Sequence, residues 1–470
     1  MPFTIPFDNT YATLPEGFFT AQNPTPVKAP SLIAFNDDLA QLLGIDAGER
    51  DEMAQVFSGN TLPDGAAPLA QLYSGHQFGN YNPQLGDGRA ILLGEVIGTD
   101  GIRRDIQLKG SGPTPYSRSG DGRAWLGPVL REYVVSEAMH ALGIPTTRAM
   151  AAAQTGEIVY REAGFPGAVL TRVAKSHLRV GSFQVFAHRG QVEDLKTLTA
   201  YAIQRHYPDA KGPMDLLRAV CAAQSALIPA WMSVGFIHGV MNTDNCAIGG
   251  ETIDYGPCAF MDAYSENRVF SSIDQQARYA YANQPNIAVW NMAQFATALL
   301  QQMDNKEAAV EEATAIIHAM PAQIEAEWLK RFGAKIGLSD ATPADQPMIE
   351  DLLAMMQADG ADFTNTFAHL GTDIAQDQFT NRAAFEAWAM SWQARLARET
   401  DPSATMALAN PTIIPRNHRI EEMIQAAVAG DFRPFERLNT ALATPYQRTD
   451  ADLERAPLAA EIVPATFCGT

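Results

Sequence analysis

Cysteine is scarce in this sequence, and its placement argues against two common structural devices. The 470 residues include four cysteines: Cys221, Cys246, Cys258 and Cys468. No two of them form a CxxC pair or stand at a zinc-ligand spacing, so a structural zinc site is not indicated. The plain expectation is a protein whose thiols are mostly reduced, as in the cytoplasm.

Positive charge is also in short supply. Lys and Arg number 34 against 53 Asp and Glu, which gives a formal net charge of −19. So acidic a chain argues against non-specific binding to nucleic acid or to anionic membranes, because both need basic patches. Any anionic ligand must therefore be held by a local cluster of Arg, Lys and metal.

Long apolar runs are missing as well. No stretch approaches the roughly 18 apolar residues that would indicate a transmembrane helix. The first residues, MPFTIPFDNTYATLPEGFF, have neither the charged start nor the apolar core of a secretory signal. We therefore expect a cytoplasmic protein that does not enter a membrane, and we expect a monomer.

What is present indicates an α+β fold with more than one lobe. A chain of 470 residues is too long for one growing core. Residues 1–65 read as an N-terminal extension, rich in turn signals, with one short helix at about 31–44. Residues 66–185 show strand patterns around one helix and predict a strand-rich N-lobe. Residues 186–470 show mainly helical periodicity and predict a larger C-lobe.

The stretch QLGDGRAILLGE, residues 84–95, is the first candidate for ligand binding. Gly86 and Gly88 let backbone amides approach a phosphate or a base closely, and Arg89 follows them. Taken alone, the pattern is more often an ordinary hairpin turn, because Asp-Gly is a common turn signal. In the next predicted strand, RRDIQLKG, Lys109 lies opposite the apolar face. It either neutralises a phosphate in a cleft or is a solvated surface lysine.

A helix predicted at about 127–142 offers a partner for Lys109. Glu132 and Glu137 both lie on this helix, and a helical wheel alone does not choose between them. The loop before the helix contains Asp121 and Gly122, within a segment rich in Gly, Ser and Pro.

Two arginines follow a predicted strand in AVLTRVAKSHLRVGSF, residues 168–183. Arg172 and Arg179 lie among apolar residues. The planar guanidinium stays charged and donates two parallel hydrogen bonds, which suits phosphate recognition. The alternative is that both make ordinary ion pairs at the surface.

The segment HGVMNTDNCAIGGETIDYG, residues 238–256, has the order of two protein-kinase motifs, HRDxxxxN and DFG. His238 takes the place of the kinase His, Asn245 that of the metal-binding Asn, and Asp254 that of the DFG aspartate. The third motif position, which holds the catalytic base in kinases, is Val240. Asp244, beside Asn245, supplies a carboxylate at another position.

This substitution bears directly on the reaction. Valine cannot accept a proton, and a positioned general base is worth about 10²–10⁴-fold in rate. The chain therefore keeps oxygen ligands suited to Mg²⁺ but lacks the kinase base. We interpret this as a nucleotide site that performs a different transfer.

Several long segments resemble the selenoprotein O family, also called the YdiU group. They are YSGHQFGNYNPQLGDGRA, LKGSGPTPYSRSGDGRA, SEAMHALGIPTTRA, RVAKSHLRVGSF, HGVMNTDN with TIDYGP, and NPTIIPRNHRIEEMIQAAVAGDF. The resemblance covers nearly the whole chain. It implies a protein-kinase-like (pseudokinase) fold that binds ATP in an inverted orientation and transfers AMP to Ser, Thr or Tyr hydroxyls of proteins.

The resemblance also implies roles for individual residues. It implies Asp244 as the proton acceptor, Asn245 and Asp254 as ligands of Mg²⁺ or Mn²⁺, and Glu132 as the support of Lys109. The implied nucleotide contacts are Gly86, Gly88, Arg89, Lys109, Asp121, Gly122, Arg172, Arg179 and Asp254.

Other readings of the same motifs stay open. The same site could transfer UMP from UTP with Mn²⁺, since base selectivity is not legible from the motifs. A non-catalytic pseudokinase that binds ATP as a scaffold is favoured by Val240 and disfavoured by Asp244. Conventional phosphotransfer ranks behind both, because Val240 counts against it. A redox disulfide between Cys258 and Cys468 is a further hypothesis suggested by the family.

Overall fold

The computed structural model describes residues 3–467 and has an α+β architecture. Its strands are β1 (Phe19–Ala21), β2 (Ser31–Phe35), β3 (Leu69–Gln71), β4 (Gly75–Gln77), β5 (Asn80–Asn82), β6 (Ala90–Ile97), β7 (Arg103–Lys109), β8 (Ala124–Trp125), β9 (Arg148–Tyr160), β10 (Gly164–Ala174), β11 (Phe236–Ile237) and β12 (Ala259–Phe260). Its helices are α1 (Asp37–Leu42), α2 (Arg50–Phe57), α3 (Leu126–Ala141), α4 (Val180–His188), α5 (Val192–His206), α6 (Pro213–Ser233), α7 (Gln284–Leu299), α8 (Lys306–Lys335), α9 (Gln346–Asp359), α10 (Phe363–His369), α11 (Arg382–Leu396), α12 (Pro402–Ala409), α13 (Asn417–Val428), α14 (Arg433–Leu442) and α15 (Ala451–Glu454).

One antiparallel sheet of eight strands dominates the N-terminal part. Its order is β1-β3-β6-β7-β10-β9-β2, and β8 pairs with β10. The hairpin of β6 and β7 turns between Ile97 and Arg103. Lys109 lies opposite Leu170, and Gln107 lies opposite Arg172. Because opposite residues of an antiparallel pair share a face, Lys109 and Arg172 project from the same side of the sheet.

The other face of β7 is apolar, which explains why the strand lies in the middle of the sheet. Ile106 and Leu108 alternate with the polar residues and are fully buried. They pack in one cluster with residues of α1 and α2, including Leu39 and Phe57. Burial of this face fixes the register of β7, since a slip of one residue would expose it.

Helix α3 packs against β9 and β10 and, on its outer side, against α13 and α14. The sequence predicts this helix at about 127–142, and the structure confirms it within one residue. Val129, Leu130, Val134 and Ala138 form its buried stripe. Helices from the C-terminal part therefore hold in place the helix that carries Glu132.

The helices predicted in the C-terminal part are confirmed. Helices α5 to α15 all lie within residues 186–470, and α8 is the longest of the described helices, with 30 residues. The segment 238–256 connects β11 to β12, which form a separate two-stranded sheet. Within it, Thr243–Asn245 form a short 3-10 turn.

The helix predicted at about 31–44 is wrong in its first half. Ser31–Phe35 forms strand β2, and the helix begins only at Asp37. The apolar run SLIAF pairs with β9, which lies more than a hundred residues further along the chain. Asn36 then starts the helix, because its side chain accepts a hydrogen bond from the Leu39 amide.

None of the helices between residues 3 and 467 is both long enough and apolar enough to cross a membrane. Cys221, Cys246 and Cys258 are buried free thiols. The Cys258–Cys468 disulfide stays a hypothesis, because Cys468 lies outside the described residues.

Candidate active site

The residues singled out in the sequence come together in one cleft of about 660 Å³. Those that line it are Gly86, Gly88, Arg89, Lys109, Asp121, Gly122, Arg172, Arg179, Asp244, Asn245 and Asp254. Glu132 lies behind this lining and contacts two of its members. Residues from four separate segments of the chain therefore line the same cleft.

Glu132, and not Glu137, is the partner of Lys109. The Lys109 ammonium lies 2.6 Å from Glu132 Oε2, and the Arg172 guanidinium lies 2.5 Å from Glu132 Oε1. Glu137 instead pairs with Arg148 at 2.7 Å and accepts a hydrogen bond from Asn36. The structure therefore resolves the choice that the helical wheel leaves open.

Asp254 is the point where three cations meet. Its Oδ1 lies 2.9 Å from the Lys109 ammonium and 2.6 Å from the Arg172 guanidinium, and its Oδ2 lies 3.4 Å from Arg179. Burial alone would raise the pKa of Asp254, but the charges of Arg172 and Lys109 lower it well below its usual range. The carboxyl is therefore ionised.

The backbone of Asp254 is unusual as well. Its φ is +63°, a region that residues other than glycine rarely occupy. Such strain costs on the order of 1–3 kcal/mol and persists where the surroundings impose it. Here the ion pairs with Lys109, Arg172 and Arg179 fix the side chain and so stabilise this conformation.

Both arginines are interior residues, which excludes the surface alternative. Arg172 and Arg179 are each only 2% exposed. Arg179 donates to the His177 carbonyl at 2.8 Å, and its guanidinium lies over the Tyr73 ring at 4.5 Å from the centroid. Two buried guanidinium groups and one ammonium beside a cleft form a strong local cation cluster in an otherwise acidic protein.

The glycine-rich loop is held tightly against residues 114–117. Gly86 has φ +125°, and a Cβ there would lie 2.5 Å from the Tyr116 ring. A Cβ on Gly88 would lie 2.8 Å from the Tyr116 carbonyl oxygen. Between them, buried Asp87 accepts hydrogen bonds from the Gln71 amide and from Gln107, each at 3.1 Å. Only glycine permits this approach.

A second loop, residues 120–123, also lines the cleft. Asp121 makes a paired ion bridge to Arg161, with both nitrogen–oxygen distances 2.9 Å. Gly122 has φ +65°, and its Cα lies so close to Gly112 that a Cβ would overlap the Gly112 backbone. The loop that carries Asp121 is therefore fixed by a turn and by an ion pair.

The segment 238–256 supplies the oxygen groups of the cleft. His238 is fully buried, and its Nε2 donates to the Ile253 carbonyl at 2.9 Å, so it serves as an internal brace. Val240 lines the cleft. Burial raises the pKa of Asp244 to about 6, although a hydrogen bond from Gln77 acts in the other direction. A carboxylate in such an environment is suited to accept a proton near neutral pH.

The donor set fits a hard divalent cation completed by a nucleotide. Asn245 donates to the Val240 carbonyl at 2.9 Å, which leaves its amide oxygen without a donor among residues 3–467. Within the same residues, no group of three His, Cys, Asp or Glu side chains could hold a metal ion. One amide oxygen and the Asp254 carboxylate are a partial set. Mg²⁺ accepts such a set when phosphates and water supply the remaining oxygens.

Some residues of the site were not found from the sequence. Asp87 anchors the glycine-rich loop and accepts a hydrogen bond from Gln107, the Tyr73 ring lies under the Arg179 guanidinium, and Gln77 donates to Asp244. Asp87 carried a signal, since it lies between the two glycines of the motif. Gln77 carried none, because its contact with Asp244 depends on the folding of distant segments.

Comparison with known proteins connects this geometry to a family. A profile described as "Protein adenylyltransferase SelO" matches residues 2–443. A protein of Roseobacter denitrificans named "Protein nucleotidyltransferase YdiU" is 69% identical over 470 residues, 100% of each chain. Proteins with the same name from Ruegeria pomeroyi and Agrobacterium fabrum are 68% and 54% identical, covering 100% and 99% of each chain. The chain therefore belongs to the SelO family of nucleotidyltransferases.

Proposed function

We propose that the protein transfers AMP from ATP to Ser, Thr or Tyr hydroxyls of protein substrates and releases pyrophosphate. The observation that supports this most directly is the cation cluster of Lys109, Arg172 and Arg179 in the cleft that also contains Asp244. The family description and the relatives' names favour the same class of reaction. The position that would hold a kinase base is Val240, which disfavours phosphotransfer.

The charge distribution favours an inverted nucleotide. In adenylyl transfer the substrate hydroxyl forms a bond to the α-phosphorus, and the bond from that phosphorus to the β-phosphate oxygen breaks. Negative charge then grows on the departing pyrophosphate. Lys109, Arg172 and Arg179 stabilise that charge when the β- and γ-phosphates lie against them. The nucleoside then lies toward Gly86, Gly88 and the loop of Asp121 and Gly122.

Asp244 takes the proton of the attacking hydroxyl. It lines the same cleft, and burial keeps its pKa at about 6, high enough for it to act as a base near neutral pH. Asn245 and Asp254 would hold Mg²⁺ or Mn²⁺, which when bound neutralises phosphate charge. Glu132 holds Lys109 and Arg172 in place at 2.6 and 2.5 Å.

We also propose that the fold is a protein-kinase-like pair of lobes. An antiparallel sheet with a Lys109–Glu132 ion pair, followed by HGVMNTDN and DYG, supports this arrangement. The proposed N-lobe spans residues 66–185 and the C-lobe residues 186–470, with an extension at 1–65. Strands β1 and β2 of that extension belong to the main sheet.

Labelled nucleotides test the reaction. The protein is incubated with Mg²⁺ and ATP labelled at either the α or the γ phosphate, alone and with a bacterial lysate. Label from the α position on protein, with none from γ, is the expected result. Label from γ would show a kinase, and label from neither would favour a scaffold. A further reaction contains α-labelled UTP and Mn²⁺. Stronger labelling of protein from UTP than from ATP would show that UTP is the nucleotide substrate.

A further inference from the structure

A small hairpin covers the segment that carries Asp244. It consists of β4 and β5, residues 75–82, and pairs with no other sheet among the described residues. The His76 amide donates to Thr243 Oγ1 at 2.7 Å, and the Phe78 amide donates to Asn242 Oδ1 at 3.1 Å. The backbone amides of His76 and Phe78 therefore bind the side chains of the two residues that precede Asp244.

The side chain between those amides reaches Asp244 itself. Gln77 Nε2 donates to Asp244 Oδ2 at 3.0 Å. In the part of the chain that the structure describes, no other side chain donates a hydrogen bond to this carboxylate. On its other side lies Gly75, where an added Cβ would be 2.7 Å from Asp244 Oδ1. The carboxylate is therefore held between an amide donor and a glycine.

The hairpin is braced so that Gln77 has a fixed position. Gln184 Nε2 lies 2.9 Å from His76 Nδ1, and Gln184 Oε1 accepts from Thr243 Oγ1 at 2.7 Å. Tyr279 donates to Asn242 Oδ1 at 2.6 Å. These contacts close a network between the hairpin, α4 and the Asp244 segment.

We propose that Gln77 is a positioning residue that orients the Asp244 carboxylate for proton transfer. This inference rests on the proposed function, since it assumes that Asp244 takes the hydroxyl proton. As a neutral donor, the Gln77 amide stabilises the carboxylate without pairing it with a cation, so the base stays available. Small misplacement of a reacting group can reduce a rate by about 10²-fold.

The test measures the rate of α-label incorporation from ATP as a function of ATP concentration. Gln77→Leu removes the donor at similar size. We expect its maximal rate to fall about 10–100-fold, while the ATP concentration for half-maximal rate changes less than about twofold. Gln393→Leu, an exposed glutamine on α11, is the matched control and should behave as wild type.

Gly75→Ala is the second variant, in case Gln77→Leu does not fold. Its Cβ would lie 2.7 Å from Asp244 Oδ1 and 2.9 Å from Asp244 Cβ, so Asp244 must move, and the same loss of maximal rate at unchanged half-saturation is expected. A Gln77→Leu variant that folds with wild-type kinetics, or one that loses rate only through weaker ATP use, overturns the positioning role. If wild-type protein transfers no α label, the proposed function fails, and the role of Gln77 fails with it.

Discussion

The Asp254 carboxylate forms ion pairs with three cationic side chains of the cleft. Asp254→Asn keeps the shape of the side chain but removes the charge that faces Lys109, Arg172 and Arg179. We expect nucleotidyl transfer to fall at least about 100-fold, because a proposed metal ligand and its charge are lost. The measurement is the rate of α-label incorporation at saturating ATP and Mg²⁺.

The same substitution makes a prediction about binding. Without Asp254, Lys109, Arg172 and Arg179 lack the counter-charge that they share, and a triphosphate can replace it. Metal-free ATP should therefore raise the melting temperature of Asp254→Asn more than that of wild type. Asp100→Asn, at a partly exposed pair with Arg104, is the control and should leave transfer unchanged. Wild-type transfer by Asp254→Asn would contradict the assigned site.

Glu132 and Glu137 form a matched pair on one helix. Glu132→Gln weakens the hold on Lys109 and Arg172, so kcat/KM for transfer should fall at least about tenfold. Glu137→Gln weakens the pair with Arg148, so it should lower the free energy of unfolding by about 1–3 kcal/mol and leave the rate near wild type. Steady-state kinetics and urea denaturation of both variants separate these outcomes, and equal kinetic losses would refute the distinction.

Most residues of the candidate site can be predicted from the sequence, because the order of motifs along the chain is visible without a structure. The motifs alone single out Lys109, Asp244 and Asp254. The sequence does not choose between Glu132 and Glu137. A helical wheel shows the direction in which a side chain points but not which residues of other segments lie there. Nor does the sequence find Gln77, whose partner Asp244 lies 167 residues away.

Among the elements, the glycine-rich loop gives the sharpest prediction. Gly88→Ala would place a Cβ 2.8 Å from the Tyr116 carbonyl, so the loop or residues 114–117 must move. We expect the ATP concentration for half-maximal transfer to rise about tenfold, because the movement would displace the proposed contacts of the loop with the nucleotide. Gly212→Ala is the control, since nothing lies within 4 Å of its added Cβ. Equal half-saturation in the two variants would show that the loop does not bind ATP.

Elements whose pattern is local are predicted well, and elements that depend on distant pairing are not. Helices α3 and α6 follow from apolar positions at three and four residues. Strand β2 does not, because SLIAF is short and apolar and its partner β9 decides its conformation. The hairpin of β4 and β5 is also missed. Its two strands pair locally, but the hairpin packs on residues of the segment 238–256, which lies far along the chain.

At the scale of the whole molecule, Lys335 is the one buried lysine among residues 3–467, and it makes the stability of the protein depend on pH. Lys335 is 2% exposed, and burial lowers its pKa to about 7. Its ammonium lies over the Phe367 ring at 4.3 Å and near the Phe363 ring at 5.4 Å, which compensates only part of the lost hydration. No carboxylate among the described residues forms an ion pair with it.

The sign of the pH effect follows from proton binding. Between pH 7 and about 10, the unfolded chain binds a proton at this lysine that the folded chain does not, so stability from this group rises with pH. Lys335→Met should therefore raise the free energy of unfolding at pH 6 by on the order of 5 kcal/mol, and at pH 9 by on the order of 2 kcal/mol. Urea denaturation at both pH values tests this, and a difference independent of pH would refute it.

The most direct measurement of the central claim is a crystal structure with Mg²⁺ and an ATP analogue whose α–β bridging oxygen is replaced by carbon. We expect the β- and γ-phosphates to lie against Lys109, Arg172 and Arg179, with the α-phosphorus facing Asp244. The nucleoside should lie toward Gly88 and Asp121. A nucleotide in the opposite orientation, or a cleft in which those cations do not contact phosphate, would contradict it.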